Sequence, residues 1–301
     1  MILCCGEALI DMLPRQTTAG EAAFAPLAGG SVFNTAIALG RLGTKVQFFS
    51  GLSSDLFGDV LRTQLAASGV DSSPAAVSDR PTTLAFVTLT NGHASYAFYD
   101  ENTAGRMLSE ADLPQTDADA MFFGGISLVV EPCGAAYEAL MLREAPHRVT
   151  MIDPNIRPSF ITDEASYRAR LTRMLGAADI IKTSDEDLEW ITGDTDAKAL
   201  LDQTGAKVIL LTRGGDGVSI VTAQGTYDEP AVAAKVVDTV GAGDTFSAGF
   251  MAQLTKSGHL TKDGIAQAKE ADLRAAAAFG AKVAAITVSR AGANPPWASE
   301  L

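Results

Sequence analysis

The sequence predicts an α/β fold in which a mainly parallel central sheet is covered by helices on both faces. Short apolar runs bounded by Gly, Pro or Asp recur along the chain, and amphipathic stretches of helical period separate many of them. This alternation is typical of βαβ units, whose parallel strands are buried on both sides. The predicted strands are 2–5, 46–49, 121–123, 149–152, 208–211 and 218–221.

The helices of this fold are predicted from apolar positions that repeat every three or four residues. They are 34–42, 56–68, 135–144, 167–176 and 197–204. After about residue 230 the chain becomes rich in alanine, with helices at 244–256 and 264–284 and a short final strand at 285–289. Because no linker rich in Pro, Gly or Ser divides the chain, residues 1–301 are expected to form a single domain.

Two segments do not follow the α/β alternation. Residues 84–90 and 94–99 flank an Asn-Gly pair at 91–92, which favours a tight hairpin turn because both residues tolerate positive φ. We expect this hairpin to belong to a small β-sheet lid, with strands drawn from about 13–28 and 84–100.

The second arm of this hairpin alternates large and small side chains. We interpret the alternation as putting Tyr96 on one face and Phe98 on the other. A two-stranded arm is marginally stable by itself and exposes an apolar face. Pairing between two subunits would cover that face, so a homodimer formed through the lid is expected.

Composition and charge exclude several classes of partner. The 301-residue chain has a formal net charge of −13, whereas nucleic-acid backbones are held by clusters of Lys and Arg, so no nucleic acid is expected to bind. No apolar run reaches the roughly 18 residues that span a membrane, and no basic leader opens the sequence. Cys4, Cys5 and Cys133 lack metal-binding spacing, and we interpret them as reduced packing residues of a cytoplasmic protein.

The most informative motif is the run DTVGAGDTFSAGF at residues 238–250. Gly241 and Gly243, on either side of Ala242, let the backbone form a cup of N–H groups, and the positive end of the following helix points at the same place. Asp244 at the mouth of this cup can take a proton from an attacking hydroxyl while the amides stabilise a transferring phosphoryl group. The alternative is that Asp244 simply caps the helix.

A second glycine motif, AGGSVFNTA at residues 28–36, opens the first predicted helix. Gly29 and Gly30 allow a small ligand to approach the backbone, and Asn34 offers both a donor and an acceptor to hydroxyl groups. The alternative is a tight turn in which Asn34 caps the helix.

Together the two motifs resemble the signatures of the ribokinase-like carbohydrate kinases, also called the phosphofructokinase-B (pfkB) family, and the resemblance extends from Cys5 to about Trp297. It implies a three-layer α/β/α sandwich with a small β-sheet lid, and phosphoryl transfer from ATP to a sugar hydroxyl. It also implies that Asp244 is the base and that residues 241–243 form the anion hole. The implied sugar contacts are Asp11, Gly29, Gly30, Asn34 and Asp244. For Phe98 two interpretations stay open: packing within the lid, or a cover over the substrate.

The resemblance implies a nucleotide site as well. The Gly-rich turn within 211–217 resembles the family's ATP-phosphate loop, although alone it would be only a hairpin between two strands. The family also often binds a monovalent cation such as K⁺ near the anion hole. Asp238 matches one ligand of that cation, with backbone carbonyls near Gly292 as weaker candidates. The implied ATP contacts are Lys182, Thr212, Gly214, Gly217, Gly241 and Gly243.

The magnesium region departs from the family pattern. The family commonly has Asn-x-x-Glu where this chain has Ser184 and Asp187, so oxygen ligands suited to Mg²⁺ are kept in kind. Asp187 is the implied Mg²⁺ ligand, and Asp185 or Glu186 stays open as an alternative.

The substrate class is predicted from the run DPNIRP at 153–158, which follows a strand at the edge where α/β sheets bind ligands. Alone it would be a Pro-rich turn. It resembles fructokinases and 2-keto-3-deoxygluconate kinases, in which a matching Arg faces the active site, so Arg157 is expected to meet phosphate or an anionic substrate. Segments 6–11 and 99–104 also resemble bacterial fructokinases, which favours fructose; 2-keto-3-deoxygluconate stays open as the alternative.

Two other classes of function fit the sequence less well. A dinucleotide-binding oxidoreductase needs Gly-x-Gly-x-x-Gly after its first strand, and Gly6-Glu7-Ala8 does not supply it. A non-catalytic sugar-binding protein on a kinase fold can lose its base, whereas Asp244 and both neighbouring glycines are present. An ATP-dependent sugar kinase is therefore the predicted function.

Overall fold

The structure is a computed structural model that describes residues 1–90 and 93–301; the predicted turn at 91–92 lies outside the described residues. Its strands are β1 (Ile2–Cys5), β2 (Leu9–Gln16), β3 (Ala22–Gly29), β4 (Val46–Phe49), β5 (Gly51–Ser53), β6 (Ala76–Ser78), β7 (Leu84–Thr90), β8 (His93–Tyr99), β9 (Ala120–Gly124), β10 (Val149–Asp153), β11 (Ile180–Ser184), β12 (Val208–Thr212), β13 (Val218–Thr222) and β14 (Gly225–Glu229). Its α-helices are α1 (Ser31–Arg41), α2 (Leu56–Ala67), α3 (Cys133–Glu144), α4 (Glu164–Leu175), α5 (Asp185–Thr192), α6 (Ala197–Thr204), α7 (Ala242–Lys256), α8 (Lys262–Gln267) and α9 (Glu270–Val288). Within these described ranges, no helix is long and apolar enough to cross a membrane.

The larger sheet has the strand order β14-β13-β12-β11-β10-β9-β1-β4. Every neighbouring pair from β4 to β12 is parallel, and the pairs at the β14 edge are antiparallel. Strands β1, β9 and β10 are fully buried, as expected of parallel strands that are covered on both faces. The predicted mainly parallel sheet is confirmed.

Helices pack on both faces of this sheet. Along β1, Ile2 and Cys4 belong to one buried cluster and Leu3 and Cys5 to another, because successive side chains of a strand point to opposite faces. The first cluster includes side chains of α1 and α7, and the second includes side chains of α3, α4 and α6. This arrangement confirms the predicted three-layer α/β/α sandwich.

The smaller sheet has the order β3-β2-β7-β8 and contains the segments predicted for the lid. Strand β2 begins at Leu9 rather than near residue 13, which brings Asp11 into this sheet. Tyr96 and Phe98 lie on one face, with stacked rings whose centroids are 5.9 Å apart. The prediction that they lie on opposite faces is wrong, because residues two apart along a strand share a face.

The prediction for the C-terminal region is also corrected. Residues 285–289 do not form a strand: residues 285–288 continue α9 to its end, Ser289 caps it, and Thr287 Oγ1 donates to Val283 O one turn earlier. The helix predicted at 264–284 is divided between α8 and α9. Alanine-rich turns of high helix propensity precede the β-branched residues at the end of α9, and they outweigh the strand preference of those residues.

Candidate active site

Asp244 lies in the first turn of α7. Gly241 precedes the helix with a left-handed backbone, φ 77°, and Asp244 is the third helical residue, so it does not cap the helix. Its carboxylate instead accepts two hydrogen bonds from α1: Ser31 Oγ donates to Oδ1 and Asn34 Nδ2 donates to Oδ2, each at 2.9 Å. The helix-cap interpretation of Asp244 is therefore wrong.

The start of α7 supplies the predicted cup of N–H groups. The N–H of Ala242 donates to Thr239 O at 3.3 Å, whereas the N–H groups of Gly243 and Asp244 have no acceptor among the described residues. Such N–H groups at the positive end of a helix dipole are a site for an anion. The cup and the Asp244 carboxylate thus lie in the same helical turn.

The Gly29-Gly30 pair is explained by close packing. A Cβ on Gly29 would lie 2.2 Å from Asp11 Oδ2, and one on Gly30, whose φ is 108°, would lie 2.8 Å from Glu7 O. Because Gly30 precedes α1, Asn34 is the fourth helical residue, and the prediction that Asn34 caps the helix is wrong. The two glycines let Asp11 and Glu7 pack directly against the turn that leads into α1.

A cavity of about 310 Å³ lies at this corner, which suits a ligand at the small end of the usual range. The predicted residues that line it are Asp11, Gly30, Asn34, Phe98, Arg157, Lys182, Gly241, Ala242, Gly243 and Asp244. The predicted residues that do not line it are Gly29, Thr212, Gly214, Gly217, Asp187 and Asp238. It is also lined by residues for which no role was predicted, among them Glu7, Ser31, Tyr96, Gly125 and Asn155.

The carboxylates of this cavity have raised pKa values. Burial raises the pKa of Asp244, and the hydrogen bonds from Asn34 and Ser31 together with the charge of Lys182 partly offset this effect. Burial, followed by the negative charge of Asp244, raises the pKa of Asp11 to about 6. A carboxylate with a raised pKa is a stronger proton acceptor than an exposed one.

Lys182 is a buried cation between the central sheet and the cup. Its Nζ is 2.9 Å from Asp153 Oδ2, and Asp153 is only 1% exposed. A Cβ on Gly243 would lie 3.0 Å from this Nζ, so the ammonium group is beside the cup. Burial lowers the pKa of Lys182, but the charge and hydrogen bond of Asp153, together with the charges of Asp187 and Asp244, outweigh burial, so the net pKa is raised. Burial raises the pKa of Asp153 to about 6, although the Lys182 charge opposes it.

The predicted ATP-phosphate loop connects β12 to β13 as a hairpin. Thr212 pairs with Ser184 on β11, and Thr212 Oγ1 donates to Thr183 O at 3.2 Å. Gly214 and Gly217 have positive φ values of 50° and 93°. The loop follows the carboxyl end of β12, the same edge of the sheet at which β10 and β11 end and at which α/β proteins bind ligands.

The carboxylates of Asp187 and Asp238 accept hydrogen bonds from the backbone, Asp187 from one N–H group and Asp238 from two. Asp187 is buried on α5, and its Oδ1 accepts from Ile156 N at 3.0 Å. Asp238 accepts from Val240 N at 3.0 Å and from Gly292 N at 2.9 Å. Across residues 1–90 and 93–301, no three His, Cys, Asp or Glu side chains are arranged to hold a metal ion.

Arg157 lines the cavity from the segment that follows β10. Asn155 has a left-handed backbone, φ 45°, and Arg157 Nη1 donates to Ile156 O at 3.0 Å. The planar guanidinium has further N–H donors, which suit a phosphate or carboxylate group.

Glu7 and Ser31 are among the polar residues of this site that sequence analysis missed. Ser31 directly follows the Gly-Gly pair at the start of α1, and a hydroxyl at that position was a usable signal. Glu7 comes just after the end of β1, at the carboxyl edge of the sheet, where ligands bind in α/β folds.

Known proteins with the same architecture identify the family. The model of pfkB family carbohydrate kinases matches residues 1–300. A fructokinase of Rhizobium leguminosarum bv. trifolii is 55% identical over 280 residues, which are 91% of this chain and 86% of that protein. Fructokinase-2 of Solanum lycopersicum is 32% identical, with 100% of this chain and 94% of that protein covered. The crystal structure of fructokinase with bound ATP from Xylella fastidiosa has a TM-score of 0.88 and 30% sequence identity, covering 97% of this chain and 93% of that chain. The chain therefore belongs to the pfkB family of carbohydrate kinases, as its two glycine motifs predicted.

Proposed function

We propose that this chain is an ATP-dependent fructokinase, which transfers the γ-phosphate of ATP to a hydroxyl group of fructose. The observation that carries the proposal is the Asp244 carboxylate, which is held by Ser31 and Asn34 in a cavity shared with the open N–H groups of α7. The choice of substrates is supported by relatives described as fructokinases at 55% and 32% identity, and by the similar Xylella fastidiosa structure, which contains ATP.

In this proposal Asp244 is the general base. The sugar hydroxyl gives its proton to the Asp244 carboxylate as its oxygen forms a bond to the γ-phosphorus of ATP. The bond from that phosphorus to the β–γ bridging oxygen breaks, and ADP leaves with the electron pair. In the cup formed by Gly241, Ala242 and Gly243, the open N–H groups of Gly243 and Asp244 stabilise charge on the transferring phosphoryl group.

The proposed sugar contacts are Asp11, Asn34 and Phe98, which line the same cavity as Asp244. The Asp11 carboxylate accepts hydrogen bonds from hydroxyl groups, the Asn34 amide donates and accepts, and Phe98 covers the apolar face of the sugar. Gly29 and Gly30 contribute through their lack of a side chain, because a Cβ on either would collide with Asp11 or Glu7.

The proposed ATP contacts are Lys182 and the hairpin after β12. The Lys182 ammonium group lies beside Gly243, where the γ-phosphate would meet the cup. The backbone around Thr212, Gly214 and Gly217 follows the carboxyl end of β12 and offers N–H groups to the other phosphates.

The proposed cations are Mg²⁺ near Asp187 and a monovalent ion such as K⁺ near Asp238. Asp187 uses one carboxylate oxygen for Ile156 N, which leaves the other for the ion or for water bound to it. When bound, Mg²⁺ neutralises charge on the ATP phosphates. Asp238 lies in the segment that leads into the cup and accepts a hydrogen bond from Gly292 N. A cation bound at Asp238 would therefore act on the backbone that forms the cup.

The function is tested by an ATP-coupled assay over fructose, ribose, adenosine and 2-keto-3-deoxygluconate. We expect kcat/KM for fructose to exceed the others by more than about tenfold. Arg157 in the cavity wall keeps 2-keto-3-deoxygluconate kinase as the second candidate, because a guanidinium pairs well with a carboxylate. Turnover of the sugar acid without turnover of fructose would support that candidate, whereas sugar binding without any turnover would indicate a non-catalytic protein.

We also propose that residues 1–301 act as one kinase domain in a cytoplasmic homodimer that pairs through the smaller sheet. Phe24 is 46% exposed and Tyr99 is 63% exposed on the face opposite Phe98, although both are large aromatic residues. Covering these side chains would remove apolar surface from water. Light scattering of the purified protein tests this proposal, and a monomer at assay concentration contradicts it.

A further inference from the structure

Glu7 joins three segments that meet at the cavity, and it is part of the cavity lining. It lies in the loop between β1 and β2 and is 8% exposed. Its Oε1 accepts from Ser31 N, the first residue of α1, at 2.8 Å, and its Oε2 accepts from Ser127 N, after β9, at 3.4 Å. One carboxylate therefore connects the first strand loop, the sugar-side helix and the loop after β9.

The backbone around Glu7 is shaped to fit this carboxylate. Gly30 and Gly125 both have positive φ, 108° and 71°. A Cβ on Gly30 would lie 2.8 Å from Glu7 O, and a Cβ on Gly125 would lie 2.1 Å from Glu7 Oε1. Burying a carboxylate costs free energy, which the two N–H donors only partly offset. Packing alone would be served as well by a neutral side chain.

Ser31 connects Glu7 to the proposed base. Its N–H is held by Glu7, and its Oγ donates to Asp244 Oδ1. Asn34 Nδ2 holds the other oxygen of Asp244. Because a carboxylate group rotates about its Cβ–Cγ bond, two donors are needed to fix the plane of its oxygens. If Ser31 shifts, only the Asn34 bond remains.

We propose that Glu7 is a positioning residue, which holds Ser31 so that the Asp244 carboxylate meets the sugar hydroxyl in one fixed orientation. This inference rests on the proposed role of Asp244 as the base. In this role Glu7 acts through the first turn of α1, by its bond from Ser31 N, and not by contact with the transferred group. Its effect is on the rate of the chemical step rather than on ATP binding.

A double-mutant cycle tests the connection through Ser31. We expect Glu7→Gln and Ser31→Ala each to lower kcat about tenfold to a hundredfold, with the KM for ATP changed by less than about threefold. The double variant should be no slower than the slower single variant, because both remove the same contact with Asp244. Effects that multiply in the double variant would overturn the proposal.

Glu144→Gln is the matched control. Glu144 is also 8% exposed and accepts hydrogen bonds from Arg143 and Arg148 at the C-terminal end of α3, outside the cavity lining. We expect it to lower the melting temperature with kcat unchanged. If Glu7→Gln lowers kcat no more than this control does, the positioning role is wrong.

The pH profile separates positioning from a loss of packing. The Ser31 hydroxyl stabilises the ionised Asp244 carboxylate, so Ser31→Ala should move the acid limb of the kcat profile to higher pH. An acid limb that stays at the same pH would contradict the hydrogen bond from Ser31 Oγ to the Asp244 carboxylate. If Glu7→Gln fails to fold, Glu7→Asp keeps the charge but withdraws it from Ser31; a normal kcat in that variant overturns the proposal, and a loss comparable to that of Ser31→Ala supports it.

Asp244→Asn, measured in parallel, distinguishes a failure of the positioning role of Glu7 from a failure of the proposed base. A large loss of kcat in Asp244→Asn, combined with multiplying effects of Glu7 and Ser31, would leave the proposed base in place and remove only the positioning role. A normal kcat in Asp244→Asn would remove the base, and with it the positioning role.

Discussion

The corner around Asp244 and the smaller sheet are built in opposite ways. Around Asp244, buried polar groups are joined by hydrogen bonds between α1 and α7, such as Thr35 Oγ1 to Asp244 O at 3.2 Å. Within the smaller sheet, aromatic side chains of different strands contact each other. The ring centroids are 5.0 Å apart for Phe24 and Phe86 and 5.3 Å apart for Phe86 and Tyr99. The corner is therefore held by its own hydrogen bonds, whereas the smaller sheet leaves aromatic side chains exposed.

The largest expected effect is that of Asp244→Asn, which removes the base but keeps the shape of the corner. We expect kcat to fall by about 10²–10⁴, with little change in the binding of either substrate. The free energy of unfolding should change by about 1 kcal/mol or less, because the lost hydrogen bond from Ser31 or Asn34 is offset by removal of a buried charge. Steady-state kinetics and melting temperatures of Asp244→Asn and Asp244→Ala measure both effects. Near-normal kcat in a folded Asn variant would exclude Asp244 from the mechanism.

Lys182→Met is expected to affect both stability and catalysis. It leaves the Asp153 carboxylate buried without its partner, which costs about 3 kcal/mol at pH 8, less at a pH where Asp153 is protonated. It also removes the cation beside the cup, so kcat/KM for ATP should fall by about tenfold to a hundredfold.

The double variant Lys182→Met with Asp153→Asn separates these two effects. Replacing both charged partners removes the unpaired charge, so chemical denaturation should show most of the stability restored. The activity should stay low, because no cation has been returned to the cup. Recovery of activity together with stability would show that Lys182 acts only as a structural partner of Asp153.

The lid gives a smaller expected effect, which falls on binding. Phe98 lines the cavity and packs against Phe160, with ring centroids 4.8 Å apart. Phe98→Ala should raise the KM for the sugar by roughly tenfold to thirtyfold, through lost apolar contact, and should leave kcat nearly unchanged.

Tyr99→Ala is the matched variant on the opposite face of the same strand. It should leave the KM for the sugar within about twofold and should shift the balance from dimer toward monomer in light scattering. Equal effects of Phe98→Ala and Tyr99→Ala on the KM would contradict the assignment of separate functions to the two faces.

The difference between the corner and the sheet also explains what could be predicted from the sequence. Strands with uninterrupted apolar residues, such as Ile2–Cys5, were predicted with their correct bounds. Strand β11 was missed, because Lys182 interrupts its apolar run and its burial depends on Asp153 of a neighbouring strand. The glycine motifs indicated Asp244 and Asn34, but they could not indicate that the two side chains bind each other, since that contact depends on how α1 packs against α7.

The smallest expected effect concerns Asp11, which lies where the two regions meet. It belongs to β2 of the smaller sheet, yet it lines the cavity with Asp244. Burial and the charge of Asp244 raise its pKa to about 6, above the value of 3.8 for a free side chain. The folded protein therefore binds this proton more tightly than the unfolded chain does, and the stability that the protonated form contributes is complete below about pH 4 and lost as the pH rises through 6.

Asp11→Asn should remove this loss of stability at high pH. At pH 8 the variant without ligand should be more stable than the parent by roughly 1 kcal/mol, a value discounted for the partial exposure of the side chain, and the difference should vanish toward pH 4. The same substitution should raise the KM for the sugar, because a neutral amide accepts hydroxyl hydrogen bonds less strongly than a carboxylate. Thermal melts from pH 4 to pH 8 and sugar titrations at pH 8 measure the two effects. A variant that is less stable at pH 8 would mean that Asp11 is stabilised in its ionised form, and the carboxylate would then belong to the organised corner rather than to a site that sacrifices stability for binding.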